Sequence, residues 1–347
     1  MGVVREGSHE GVYYEKLPEG GVHCHLCPHG CRFRPGGHGK CRVRINRDGM
    51  LIASNYGLCS ALAMDPVEKK PLYHFYPGRD ILSAGTVGCN FHCEFCQNWG
   101  IAHGDPDLRS ITPEGMVRVA RAEAAKGDCI GIAYTYSEPL MWYEFVLDTA
   151  RLAREEGLKN VLVTNGFIRP EPLRELLPFV DAMNIDVKGF TGDFYRRVIH
   201  GMYEPVLKTA ETAHREGCHV EITTLLIPTL NDSDEELERL TEWVAESLNP
   251  NVPLHFSRYF PNYKMQLAPT PISTLQRARD IARRRLNYVY LGNVTGIDGS
   301  DTACPECGQV VINRSGYRVR ITGLDGNRCT RCGKQMPFIA GSGSTSL

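Results

Sequence analysis

Between about residue 79 and residue 293 the chain alternates short apolar runs with amphipathic stretches, and few architectures satisfy that rhythm. The runs are ILSAGTVG (81–88), CIGIAYTY (129–136), NVLVTNG (160–166), AMNIDVKG (182–189), VEITTLLIP (220–228), VPLHFSRY (252–259) and NYVYLGN (287–293). Helices are expected between them. Thr112 with Pro113 opens one that exits at Gly127, Leu140 to Glu156 forms the next, and a third lies near 171–178. Val206, Leu207, Ala210 and Ala213 mark another, Ser233 with Glu236 makes a capping box, and 272–285 is the last. Repeated strand and helix argue for a parallel sheet in a barrel or a doubly wound fold. A barrel is favoured, because unusual polar residues gather where the strands end: Cys89, Tyr136 to Glu138, Thr164 to Gly166, Asp186 to Lys188, Arg258 and Asn293. The TNG of 164–166 alone reads as an ordinary turn. Asp186 and Lys188 do not, since opposite charges two residues apart on a strand point the same way.

The flanks differ. Residues 1–65 are rich in Gly, His, Cys and Arg with little apolar periodicity, the composition of a small metal-organised module. A barrel over 66–300, a second cysteine-rich module over 301–340 and a flexible tail over 341–347 complete the expected division. With 39 Lys+Arg against 40 Asp+Glu, the chain lacks the basic excess that accompanies nucleic-acid binding. No apolar run is long enough to span a membrane, and the start MGVVREGSHEGVYYEKL has no apolar signal core and carries Glu6 where a myristoylation pattern needs Ser or Thr. A soluble cytoplasmic protein is expected.

Fourteen cysteines fall into groups: Cys24, Cys27, Cys31 and Cys41; Cys89, Cys93 and Cys96; Cys304, Cys307, Cys329 and Cys332. Cys59, Cys129 and Cys218 stand alone and read as small buried apolar residues. Short-spaced groups in a large chain point to metal rather than to disulfides. The C-terminal group, two Cys-x2-Cys knuckles each closed by Gly, suits a tetrahedral four-thiolate zinc ribbon, with rubredoxin-like iron as the alternative. The N-terminal four suit zinc or a [4Fe-4S] cluster. The central CNFHCEFC stops at three thiols. His92 is a poor fourth ligand because it adjoins Cys93; a cubane bound through Cys89, Cys93 and Cys96 leaves one iron free for a small molecule.

CNFHCEFC resembles the Cys-x3-Cys-x2-Cys loop of the radical S-adenosylmethionine (SAM) superfamily. That resemblance implies a partial TIM-type (βα)6 barrel, with the cysteine-rich N-terminal module and zinc-ribbon or rubredoxin-like C-terminal module appended. It implies a [4Fe-4S] cluster whose open iron chelates SAM, and reductive cleavage giving a 5′-deoxyadenosyl radical that abstracts hydrogen from a substrate. Phe95 would lie by the adenine. Tyr136-Ser137-Glu138-Pro139 resembles the segment that binds the methionine amino group, without that segment's glycines, so Glu138 is the firmer contact and Ser137 a backbone one. Asp186 and Lys188 resemble the Asp-x-Lys of glycyl-radical-enzyme activases, Lys188 for the SAM carboxylate and Asp186 for ribose or substrate. His255 matches an adenine-side position there, or is a buried structural histidine. The segments CHLCPHGC, DPVEKKPLYHFYPG, GTVGCNFHCEFCQNW, YTYSEP, NIDVKGF, HFSRYFPNYKM and the CPECG/CTRCG pair together resemble the AmmeMemoRadiSam system radical SAM enzymes, a prokaryotic family similar to pyruvate formate-lyase activating enzymes. The partners implied are a flavodoxin- or ferredoxin-type electron donor, a Memo-family protein and a second small conserved protein.

The resemblance leaves the substrate open. An activase acts on a large protein partner; modification of a small molecule, peptide or RNA is the other chemistry, for which Arg258, Tyr259, Tyr263 and Lys264 are substrate contacts or simply a solvated basic loop. A module that binds protein or nucleic acid through several zinc knuckles is the reading from a different class.

Overall fold

The computed structural model describes residues 9–297 and 299–340; the expected tail at 341–347 lies outside them. At the centre is one sheet of eight strands: β1 (Ala61–Pro66), β2 (Asp80–Gly85), β3 (Cys129–Tyr134), β4 (Lys159–Thr164), β5 (Ala182–Asp186), β6 (His219–Leu226), β7 (Leu254–Arg258) and β8 (Val289–Gly292). They lie in chain order across the sheet, β2 to β8 all parallel. β1 runs antiparallel along β2. The sheet is open, with β1 and β8 at its edges. All seven expected apolar runs are strands; β1 is an addition, and the boundary expected at 65/66 falls inside it.

Helices α1 (Pro113–Ala124), α2 (Tyr143–Glu155), α3 (Pro170–Leu176), α4 (Glu204–Arg215), α5 (Asp234–Trp243) and α6 (Ile272–Ala282) connect β3 to β8 in the alternating pattern the sequence predicts, α1 entering β3. The Thr112 side chain accepts from Gly115 N and caps α1. Ser233 caps α5 through Glu236 N, but the Glu236 carboxylate turns to Phe190 N instead of closing the box. Each helix covers the sheet with one apolar stripe; α2 sinks Phe145, Val146, Ala150 and Ala153 completely, and an aromatic ring buried in this way contributes about 1.5–3 kcal/mol. Among the described residues no helix is long and apolar enough to cross a membrane.

The N-terminal segment forms a three-stranded sheet (Tyr14–Lys16, Val22–Cys24, Arg32–Phe33) and a hairpin (Arg44–Arg47, Met50–Ala53). Val22, Leu26, Val43 and Leu51 join the main apolar core. The C-terminal module, built on Val310–Ser315 and Arg318–Ile321, packs a smaller core of Val311, Ile312, Met336 and Phe338 against Tyr73, Tyr288 and Tyr290. This seam lies toward the strand starts and is tied by buried polar groups. Glu221 on β6, fully buried, accepts from Tyr73 N, His74 N, His219 Nε2 and His255 Nε2 at 3.0, 2.7, 2.9 and 2.6 Å. Burial alone raises a carboxyl pKa; these bonds overcome it and hold Glu221 well below the ordinary range.

Candidate active site

β2 delivers the chain to the central cysteines through Thr86-Val87-Gly88. Gly88 has φ +92° and sits so tightly against the N-terminal segment that a Cβ would stand 2.6 Å from Val43 and 2.9 Å from the Cys41 carbonyl. The loop that follows is pinned by its backbone: His92 N and Glu94 N donate to Ile199 O and Val198 O, and Lys264 N donates to Glu94 O. Cys96 N donates to Cys93 O, a tight turn that brings the two thiols to the same side. Asn90, fully buried, donates to Phe167 O at 2.8 Å and accepts from Asn165 Nδ2 at 2.9 Å.

Cys89, Cys93 and Cys96 open onto a cleft of about 310 Å3 at the carboxyl ends of the strands. Its walls bring together Phe95, Ser137, Glu138, Asp186 and Lys188, five of the residues singled out in the sequence. Glu138, 2% exposed, accepts from Thr164 Oγ1 at 2.5 Å and Leu140 N at 3.0 Å on one oxygen, and from Asn165 N at 2.8 Å on the other. Burial pushes its carboxyl up to about 7 against these donors. Across the cleft Lys188 Nζ donates to Asp186 Oδ2 at 2.9 Å. Burial opposes its charge, but the Asp186 carboxylate and Cys93 raise its pKa overall. The cleft therefore holds a buried acid on one wall and a firmly charged cation on another. That pairing matches a zwitterion.

Burial pushes the Cys93 thiol up to about 12 and Cys89 well above its usual value, so thiolates form there only with a cation bound. Among the described residues, sets of three or more ligand atoms mutually within 4.8 Å occur at the four C-terminal cysteines and at Glu15, His23 and His25, not at the central three. Three thiols too spread for one ion suit a cluster with several irons. Two buried hydroxyls in the cleft wall, Ser137 Oγ and Thr223 Oγ1, lack any hydrogen-bond partner and offer themselves to a polar ligand. The residues present fit a [4Fe-4S] cluster and SAM.

Other expected positions are placed elsewhere. His92 Nε2 bonds the Lys40 carbonyl at 3.0 Å and its ring stacks on His103, away from metal. His255 lies in the Glu221 network beneath the cleft and does not line it. Arg258 donates to Thr270 O and covers Phe260. Tyr259 is fully buried, its hydroxyl donating to Met265 O. Lys264 Nζ sits over the Tyr263 ring, which stacks on Trp99. The structure thus does not gather Arg258, Tyr259 and Lys264 into one contact surface. The C-terminal sulfurs do converge, Cys304 on Cys332 at 3.6 Å and Cys307 on Cys329 at 3.7 Å.

Sequence reasoning misses three residues of this site. Asn165, taken as a turn residue, bonds Asn90 and reaches Cys89 Sγ at 3.7 Å. Asn98 donates to Tyr136 O, fixing that residue in its left-handed conformation at φ +70°. His103, whose burial pulls its pKa down to about 4, lines the cleft as a neutral imidazole. The local signal for each is a lone polar residue in a loop, and its partners lie far along the chain.

The chain is similar to several known proteins. The sequence model of the Radical SAM superfamily matches residues 84–244. An uncharacterized protein of Methanocaldococcus jannaschii is 45% identical over 337 residues, 95% of this chain and 99% of that protein. Pyruvate formate-lyase 1-activating enzyme of Escherichia coli K12 is 26% identical over 169 residues, 47% of this chain and 67% of the enzyme. A crystal structure of a domain of pyruvate-formate lyase-activating enzyme from Bacteroides vulgatus superposes with TM-score 0.42 at 20% identity, over 47% of this chain and 99% of that one.

Proposed function

Because the chain belongs to the radical SAM superfamily, we propose that it is an enzyme that cleaves SAM reductively in the cleft beneath Cys89, Cys93 and Cys96. The observation that carries this is the placement of three thiols, Cys93 buried and Cys89 and Cys96 half-buried, too spread for a single ion, between a buried carboxylate and a paired lysine. When bound, the cluster and SAM supply a one-electron bond cleavage whose radical product takes hydrogen from a substrate.

The side chains divide the binding. Glu138 Oε2 receives one backbone donor and keeps a lone pair for the ammonium of SAM. Lys188, oriented by Asp186, pairs with the SAM carboxylate. Phe95, its ring nearly parallel to that of Phe194 with centroids 6.4 Å apart, gives the adenine an apolar wall. Ser137 Oγ and Thr223 Oγ1 complete their hydrogen bonding on the ligand.

The chain is homologous to glycyl-radical-enzyme activases, among them the 4-hydroxyphenylacetate decarboxylase activating enzyme of Clostridium scatologenes, 22% identical over 165 residues. We place it with enzymes that take hydrogen from a large protein partner, the enzyme itself being reduced by a flavodoxin- or ferredoxin-type donor. The motif-level resemblance adds a Memo-family protein and its small companion as partners. At the C terminus, sulfur separations of 3.6 and 3.7 Å agree with the ~3.8 Å edge of a tetrahedron with 2.3 Å zinc–sulfur bonds, and zinc is the proposed occupant.

The test is anaerobic reconstitution with iron and sulfide, then SAM and dithionite. Release of 5′-deoxyadenosine and methionine is expected from the native protein and none from Cys96→Ala; cleavage retained by that variant refutes the site.

A further inference from the structure

The two four-cysteine groups differ in spread. The C-terminal sulfurs all lie within 4.8 Å of one another, as a single tetrahedral ion demands. Cys24, Cys27, Cys31 and Cys41 line one pocket, yet no three of their sulfurs meet that distance, and no sulfur-to-sulfur hydrogen bond joins any two of them. The central triad shows the same spacing pattern. A lone ion at 2.3 Å from each sulfur does not reach thiols so separated; a cubane, which interposes four irons, does.

The surroundings carry two further marks. Arg44, 1% exposed, lines the pocket. Its two terminal nitrogens bind Glu144 at 2.6 and 3.0 Å, while its buried Nε has no partner. A buried cation with a spare donor beside four thiols suits a group of net negative charge. The pocket also abuts the central loop directly. His29 Nε2 bonds the Asn90 carbonyl at 2.8 Å, His92 Nε2 bonds the Lys40 carbonyl at 3.0 Å, and the Cys41 carbonyl packs on Gly88, the residue before Cys89. Cys31 is the half-buried member, the side open toward solvent.

We propose that Cys24, Cys27, Cys31 and Cys41 hold a second [4Fe-4S] cluster that relays electrons to the cluster at Cys89, Cys93 and Cys96. In each transfer the N-terminal cluster is oxidised by one electron and the central cluster reduced by one, with no bond or proton exchanged. A low-potential one-electron protein donor restores the N-terminal cluster through the Cys31 side. The relay rests on the central cluster proposed above; the N-terminal binding site does not.

Metal analysis and electron paramagnetic resonance (EPR) of the whole anaerobically reconstituted protein test this. Two four-iron clusters and one zinc predict about eight irons per chain in the native protein and about four in Cys89→Ala/Cys93→Ala/Cys96→Ala. About four irons with two zincs in the native protein, or an iron-free triple variant, overturns the site. Cys31→Ser keeps a ligand atom and is expected to shift the EPR signal of one cluster; an unchanged spectrum also overturns it. The flavodoxin-driven rate of SAM cleavage in Cys31→Ser should fall about tenfold more than the dithionite-driven rate, and equal falls overturn the relay. Eight irons without SAM cleavage by any reductant would instead refute the enzyme reading and leave the second cluster standing.

Discussion

Replacing Glu138 by Gln separates binding from folding at this site. The native carboxylate takes three donors, from Thr164, Leu140 and Asn165. A glutamine keeps one acceptor oxygen; its amide nitrogen must then face the Asn165 N–H, and one buried donor left unpaired costs about 1–3 kcal/mol. Against this stands the burial of the charge. The Glu138 pKa rises from 4.5 to about 7 on folding, so its contribution is fully present below pH 4.5 and lost as pH rises through 7. At pH 7.5 that loss is about 3 kcal/mol, and the neutral glutamine escapes it. The two effects nearly offset, so the variant should fold with a melting temperature within about 5 °C of the native protein. SAM binding has no such compensation: a hydrogen bond to a charged ammonium contributes about 1.5–3 kcal/mol, or roughly 10- to 150-fold in Kd. Titration calorimetry on anaerobically reconstituted protein of unchanged iron content reads the affinity. A Kd within twofold of native refutes the assignment of Glu138 to the ammonium.

Asn165→Ala removes the acceptor of Phe167 N and the donor to Asn90; a loss of about 2 kcal/mol in chemical denaturation is expected, with faster loss of the central cluster in air, and unchanged cluster lifetime would contradict its supporting role. Acidification should weaken the C-terminal seam through His74, whose burial pulls its pKa down to about 3 from 6.5. With a depressed histidine the stability is whole above pH 6.5 and drains as pH falls toward 3, amounting to about 2 kcal/mol lost at pH 5; in Glu138→Gln, which lacks the carboxyl whose contribution changes the opposite way over this range, equal urea midpoints at pH 8 and pH 5 would refute this. Cys332→Ala opens the C-terminal tetrahedron and should release about one metal ion per chain and lower the melting temperature, as metal analysis beside a thermal scan would show.

Much of the sheet was legible because a parallel strand buried on both faces writes itself as a continuous apolar run, and all seven such runs became β2 to β8. β1 wrote no such signal. Leu62 and Met64 remain 44% and 38% exposed along an edge, so ALAMDP has neither the alternation nor the burial that marks a strand. The cysteines, Glu138 and the Asp186–Lys188 pair were readable because their chemistry is unusual at a strand end. Glu221 was not, since a single acid within VEITTLLIP gives no hint that Tyr73, His74, His219 and His255 converge on it. Tyr259 misled for the opposite reason: in RYFPNYKM it reads as a loop aromatic, yet Thr270 and Met265 fold over it.

The way the central loop is pinned also sets an order of assembly during synthesis. Its contacts come from His29 and Lys40 before it and from Asn165, Val198, Ile199 and Lys264 after it. The last of these, Lys264, is added about 170 residues after Cys96. Cys24 to Cys41, by contrast, are all present within the first 41. A nascent chain therefore displays the complete N-terminal ligand set while the loop at Cys89 to Cys96 is still unsupported, and iron delivered to that loop waits until synthesis has passed Lys264.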